Sequence, residues 1–146
     1  MILLIGVGNA WRRDDGAGPA VAERLADHPG LRTLVLPGEG SELIEAWSGQ
    51  AHVIVVDAMR SGAPAGTIRH FDAVTQPLPA GEFPSLSHRF GLAEAVEMAR
   101  ILGRLPARLD IWGIEAGDAG QGPGLSPKVD AAVAEVVHFI TAPEPA

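Results

Sequence analysis

The chain has 146 residues, of which 47% are apolar and 20% charged, and 18 acidic against 11 basic residues give a net charge of −7. This balance is typical of a single globular domain, expected here over residues 1–146. The acidic charge argues against binding to nucleic acid or to an anionic membrane surface. The chain has no cysteine, which excludes disulfides, thiolate metal sites and cysteine nucleophiles.

The N-terminal sequence lacks the features of a targeting segment. Its apolar run Ile2–Val7 has no basic residues before it, and polar residues follow at once, unlike a signal peptide. No apolar run along the chain reaches the length of a membrane span. We therefore expect a cytoplasmic protein that does not associate with membranes and acts as a monomer.

Strand and helix patterns alternate along the chain. In chain order the predicted elements are strand Ile2–Val7, helix Asp14–Asp27, strand Leu31–Leu36, helix Ser41–Trp47, strand Val53–Val56, strand Thr67–Phe71, helix Arg89–Leu102, strand Arg108–Ile114 and helix Pro127–Ile140. The third strand is apolar on both faces, as in the centre of a parallel sheet, and the fourth is expected at an edge. The alternation predicts an α/β fold with one open, twisted, mostly parallel sheet of about five strands and helices on both faces.

A glycine-rich segment, Gly6–Gly18, follows the first strand. Its start is similar to a dinucleotide-binding fingerprint, but the third glycine of that fingerprint would fall on Trp11. An indole cannot replace the close packing of helix on sheet that this glycine permits. A nucleotide-binding module is therefore disfavoured, and the glycines require only a tight turn from strand to helix.

Three polar features could meet beyond the carboxyl ends of the strands, where open α/β sheets bind ligands. Asp14 and Asp15 begin the first helix, where one of them would suffice as a cap. Asp57 directly follows a buried strand, so it needs either a cation or backbone N–H partners in the next turn. His88 ends a long loop before a helix. Two carboxylates and one imidazole would suit a divalent ion such as nickel or zinc.

Several motifs, in this order and spacing, resemble those of the hydrogenase maturation proteases. The resemblance covers nearly the whole chain and is carried by Gly6–Asn9, Asp14–Val21, Val55–Ala58, Gly66–Thr67, Ser87–Leu92, Gly113–Glu115 and Gly124–Val129. One segment departs from the family, because Pro37 stands where some members have the acid of an Asp-Gly-Gly-Thr-like turn. We therefore assign no role to that segment.

The resemblance implies an aspartic-type or metal-dependent endopeptidase. Such an enzyme would remove the C-terminal extension of the hydrogenase large-subunit precursor after nickel has been inserted, with that precursor as its partner. Matched motif by motif, the catalytic and metal-contacting residues of the family fall on Asp15, Asp57 and His88. The nickel would be carried by the substrate, and the free protein could take another divalent ion at the same site.

An alternative is a non-catalytic nickel-binding chaperone or scaffold that uses the same three residues without cutting the precursor. In either case two carboxylates would lie close together, so at least one of them should have a raised pKa when no metal is bound.

Overall fold

The structure is a computed structural model that describes residues 1–79, 81–83 and 90–143. Within these ranges the elements are β1 (Ile2–Val7), α1 (Ala17–Arg24), β2 (Leu31–Leu36), α2 (Gly40–Trp47), β3 (His52–Met59), β4 (Ile68–Asp72), α3 (Leu92–Leu102), β5 (Arg108–Glu115) and α4 (Pro127–Thr141). A short 3₁₀ turn, Arg13–Gly16, precedes α1. None of the helices in these ranges has the length and apolar character needed to cross a lipid bilayer.

The strands form one five-stranded sheet in the order β2-β1-β3-β5-β4. Its first four strands are parallel, and β4 pairs with β5 in the antiparallel direction at one edge. The predicted fold class is therefore confirmed, including the edge position of the fourth strand. The bounds predicted for β1 and β2 are also those observed.

Helices cover both faces of the sheet, and the alternation of side chains along each strand divides the core accordingly. On one face, Val53 and Val55 of β3 belong to the core cluster of α2 and α3, with Trp47 fully buried at its centre. On the other face, Ile54 and Val56 pack with α1 and α4. Each large apolar side chain that is fully buried stabilises the fold by roughly 1.5–3 kcal/mol, so both layers of helices are held mainly by these contacts.

Helix α1 lies very close to the sheet because two glycines leave room for it. A Cβ atom on Gly18 would overlap the backbone carbonyl oxygens of Val7 and Val56, and one on Gly6 would overlap the carbonyl oxygen of Gly18. Rigid backbone atoms cannot yield as the end of a flexible side chain can. The glycine-rich motif therefore fixes the distance between the first helix and the two central strands.

Two predicted boundaries at the carboxyl edge of the sheet were wrong. The third strand does not end at Val56 but continues to Met59, because Asp57 and Met59 still pair with β5. The first helix does not begin at Asp14, since the two aspartates lie in the 3₁₀ turn and α1 begins at Ala17. Both corrections change how the acidic side chains are positioned.

Candidate active site

The order of the strands creates a crevice at the carboxyl ends of β1 and β3. From β1 the chain continues to β2 on one side, whereas β3 lies on the other side of β1 and leads toward β5. Such a switch in strand order is where open α/β sheets bind their ligands, because the loops that leave the two strands diverge there. The loop after β1 carries Asp15, and the last part of β3 carries Asp57.

Asp15 is held in place by the glycine-rich loop itself. Its Oδ2 accepts a hydrogen bond of 2.9 Å from the backbone N–H of Asn9, and its side chain is half-buried. The chain can cross so closely because Gly8 has a φ of 140° and a Cβ there would overlap the carbonyl oxygen of Asp15. The cap of α1 is Gly16, without a side-chain hydrogen bond, so neither aspartate is the helix cap considered from the sequence.

Asp14, the neighbour of Asp15, has a structural role. It is fully buried, and its carboxylate accepts hydrogen bonds from the backbone N–H groups of Gly117, Asp118 and Ser126 and from the Ser126 hydroxyl, at 2.7–2.9 Å. Burial raises the pKa of Asp14, but these hydrogen bonds outweigh it and hold the pKa below its ordinary value. Asp14 is thus an ionised anchor that ties the glycine-rich loop to the loop after β5.

Asp57 lies inside β3, and its side chain is 7% exposed. Burial, and secondly the negative charge of Asp15, raise the pKa of Asp57 well above its ordinary value, although a hydrogen bond from the backbone N–H of Ala58 opposes the shift. The charge of Asp15 thus acts on Asp57, and the direction of the shift agrees with the raised pKa expected of one carboxyl group. Such a pair can share a proton or hold a cation.

The third predicted residue, His88, lies outside the described residues. The chain resumes at Phe90, whose carbonyl oxygen accepts a hydrogen bond of 2.7 Å from the N–H of Gly40 and whose ring packs over the same glycine. Phe90 packs on the core face that Val53 and Val55 share, which is also the face of Asp57 by strand alternation. Among the residues that the structure describes, no three His, Asp or Glu side chains form a metal site.

Two histidines on different strands share a buried carboxylate at the opposite edge of the sheet. The Nε2 atoms of His52 and His70 lie 2.8 and 2.9 Å from the two carboxylate oxygens of Asp110, and Arg108 lies 3.0 Å from one of them. Burial raises the pKa of Asp110, but its imidazole and guanidinium partners outweigh it and lower the pKa overall. No local motif signals this cluster, because its members come from three different strands.

Glu115 is another buried acid that sequence reasoning did not single out as a structural group. It is 4% exposed at the end of β5, and its carboxylate accepts hydrogen bonds from the N–H and hydroxyl of Ser61 and from the N–H of Gly62. These contacts fasten the turn after β3 to β5.

An open α/β sheet with polar side chains at its switch point belongs to the class of α/β domains that bind a ligand at that edge. A family model described as "HycI: Hydrogenase maturation protease" matches residues 21–143. The chain therefore belongs to the hydrogenase maturation protease family, as the resemblance implied, and is a peptidase of hydrogenase maturation.

Individual relatives agree with this assignment. The chain is 28% identical over 150 residues to the hydrogenase expression/formation protein HupD of Rhodobacter capsulatus, covering 97% of this chain and 71% of that protein. It is 28% identical over 148 residues to the hydrogenase 2 maturation protease of Escherichia coli (strain K12), covering 97% and 88%.

Solved structures share the fold. The solution structure of an endopeptidase from Escherichia coli superposes with a TM-score of 0.82 at 24% identity, covering 95% of this chain and 88% of that one. The hydrogenase maturating endopeptidase HybD from E. coli gives 0.77 at 23% identity, with the same coverage. The arrangement of sheet and helices is thus that of known members.

Proposed function

We propose that the protein is an endopeptidase that removes the C-terminal extension of the hydrogenase large-subunit precursor and recognises the nickel already inserted there. In this proposal Asp15, Asp57 and His88 contact the nickel carried by the substrate. Family membership supports the peptidase activity and the hydrogenase partner. The metal contact rests on the chemistry of the site.

The observation that carries the proposal is the buried carboxylate of Asp57 next to that of Asp15. Two adjacent negative charges at a buried position are unfavourable, as the raised pKa of Asp57 reflects. A divalent cation reverses this cost, because it neutralises both charges and takes the place of their missing hydration. The pair is therefore better suited to receiving a cation than to standing empty.

His88 completes the proposed set with a nitrogen ligand. It precedes Phe90 by two residues, a distance of about 7 Å at most along the backbone, and Phe90 is fixed at Gly40 on the face toward which Asp57 points. Two carboxylates and one imidazole match the ligand preference of nickel and similar ions. Three protein ligands would leave coordination positions for the groups by which the precursor already holds its nickel.

Two hydrolytic mechanisms can use this arrangement. In one, the nickel positions the precursor and a carboxylate of the pair accepts a proton from the attacking water as general base. In the other, the ion itself lowers the pKa of the water. The first predicts that a precursor loaded with another ion of similar geometry is cut at a similar rate, whereas the second predicts a rate that follows the acidity of the ion.

The proposal is tested by incubating the purified protein with the large-subunit precursor, with and without nickel, and measuring the intact mass of the precursor. We expect one cut in the loaded precursor and none in the nickel-free one. We expect kcat/KM to fall by more than about 100-fold in each of three variants, Asp15→Asn, Asp57→Asn and His88→Ala. This loss is larger than that typical of residues that only hydrogen-bond the ligands of a metal.

Matched controls distinguish the site from general effects of charge or of histidine loss. Asp130→Asn and His138→Ala change exposed side chains of α4 and should leave kcat/KM within about twofold of the unchanged protein. Cleavage at full rate by His88→Ala would remove that residue from the mechanism. Binding of the loaded precursor without any change of its mass would instead support a nickel-binding chaperone.

A further inference from the structure

Trp11 presents its indole to solvent from the glycine-rich loop that also carries Asp15. Its side chain is 69% exposed, whereas Trp47 is fully buried and Trp112 half-buried. An exposed tryptophan leaves a large apolar surface in contact with water, and such residues are enriched among those that dominate protein–protein interfaces. The proposed metal contacts do not account for this residue.

The exposure of Trp11 does not come from a loose loop. Its backbone N–H donates to Oδ1 of Asn9 at 2.9 Å, and its carbonyl oxygen accepts from the N–H of Gly122 at 2.9 Å. The following Arg13 has a φ of 48°, in the left-handed region that non-glycine residues rarely occupy, and its N–H donates to the carbonyl oxygen of Gly122. The backbone is thus fixed on both sides while the side chain stays unpacked.

A single residue connects Trp11 to the site. Asn9 donates its backbone N–H to the Asp15 carboxylate and accepts the Trp11 N–H with its side-chain oxygen. The backbone of Trp11 is therefore held in a constant relation to Asp15. An aromatic side chain on a fixed backbone loses little conformational freedom when it binds a segment of substrate, because only its two χ angles become ordered.

The chemistry of the indole favours an apolar side chain as its ligand. Trp11 is followed directly by Arg12 and Arg13, and the guanidinium of Arg13 lies 3.6 Å from Asp118, so this cation already has a carboxylate partner. An apolar side chain of the substrate needs no ionic partner and buries the face of the indole.

We propose that Trp11 is a substrate-docking residue, which binds an apolar side chain of the precursor in the segment next to the bond that is cut. The inference rests on the proposed endopeptidase function and adds to it the residue that helps to position the substrate chain. It concerns binding of the polypeptide, separately from binding of the nickel.

The test compares the kinetics of Trp11→Ala and Trp11→Phe on the nickel-loaded precursor. We expect Trp11→Ala to raise KM on the order of 10- to 30-fold, the effect of losing a central interface residue, with kcat within about threefold of the unchanged protein. Trp11→Phe should restore most of the affinity. Phe139→Ala, which removes an exposed aromatic side chain of α4, should leave KM unchanged.

A second measurement separates docking from a structural role. The protein is labelled with 5-fluorotryptophan, its three ¹⁹F resonances are recorded, and that of Trp11 is assigned by its loss in Trp11→Phe. Nickel-free precursor should shift the Trp11 resonance and leave those of Trp47 and Trp112 in place. A Trp11 resonance that does not move would overturn the docking role.

The two proposals fail in different ways. No cleavage by the unchanged protein would overturn the proposed function and this inference together. Cleavage by the unchanged protein with the same KM in Trp11→Ala, in a variant with an unchanged melting temperature, would overturn the docking role alone.

Discussion

Replacing Asp14 by alanine tests whether the anchor next to the site is as important as its contacts indicate. The substitution leaves three backbone N–H donors and one hydroxyl without their carboxylate. Hydrogen bonds to a charged group contribute about 1.5–3 kcal/mol each, but Gly117 and Asp118 are exposed, so water replaces part of the loss. We expect Asp14→Ala to lower the free energy of unfolding by about 3 kcal/mol, and Asp14→Asn, which keeps one acceptor oxygen, by about half as much.

Urea denaturation followed by circular dichroism measures this effect. With a slope of about 2 kcal/mol per molar urea, a loss of about 3 kcal/mol lowers the midpoint by roughly 1.5 M. Asp130→Ala is a matched control, because Asp130 forms an exposed ion pair with Arg24 and should contribute less than about 0.5 kcal/mol. If the Asp14→Ala midpoint equals that of the control, the anchoring role is refuted.

The pH dependence gives an independent check on Asp14. Because its pKa in the folded protein lies below the ordinary value, the unfolded chain binds more protons in the interval between the two pKa values. The stabilisation is therefore complete from about pH 5 upward, above the ordinary pKa of the unfolded chain, and is lost as the pH falls through the lower, folded-state pKa. The difference in stability between the unchanged protein and Asp14→Asn should shrink as the pH is lowered from 5 toward 3.

Three further predictions concern packing and charge. Gly18→Ala should destabilise the protein by about 3 kcal/mol because its methyl group meets rigid backbone, whereas Ala20→Gly in the same helix should cost only about 1 kcal/mol; thermal denaturation compares them. Asp57→Asn should lower kcat/KM by more than about 100-fold without lowering the unfolding free energy at pH 7. It replaces a group whose ionisation is opposed by burial and by the charge of Asp15, so a less stable variant would contradict this. Asp110→Ala should lower the unfolding free energy by about 2–3 kcal/mol, because its two histidine partners and an arginine lose a buried acceptor. An unchanged urea midpoint would show that the Asp110 carboxylate does not stabilise the fold.

The sequence was most informative where local patterns decide the structure. The apolar runs Ile2–Val7 and Leu31–Leu36 are bounded by glycine and proline, and their predicted ends are those observed. The alternation of strands and helices was sufficient for the parallel sheet with helices on both faces. The segments that carry Asp15 and Asp57 lie at one edge, as the direction of the strands predicts, whereas the roles of the two acids stay a prediction.

Predictions failed where distant partners decide the structure. The acids after β1 were considered as helix caps by a local rule, but the partners of Asp14 are more than 100 residues away. Asp57 was taken as the end of its strand because a charged residue rarely continues a buried one. In fact β3 continues to Met59, because β5 supplies pairing partners as far as Glu115. The sequence of β3 itself gives no sign of these partners.

The contacts of Asp14 also determine when, during synthesis, the glycine-rich loop can be fixed in place. The partners of Asp14 at Asp118 and Ser126 are synthesised 104 and 112 positions after it. While the chain emerges from the ribosome, the buried contacts of Asp14 cannot form until this last third has been synthesised. The glycine-rich loop therefore gains this anchor only after all five strands of the described sheet have been synthesised.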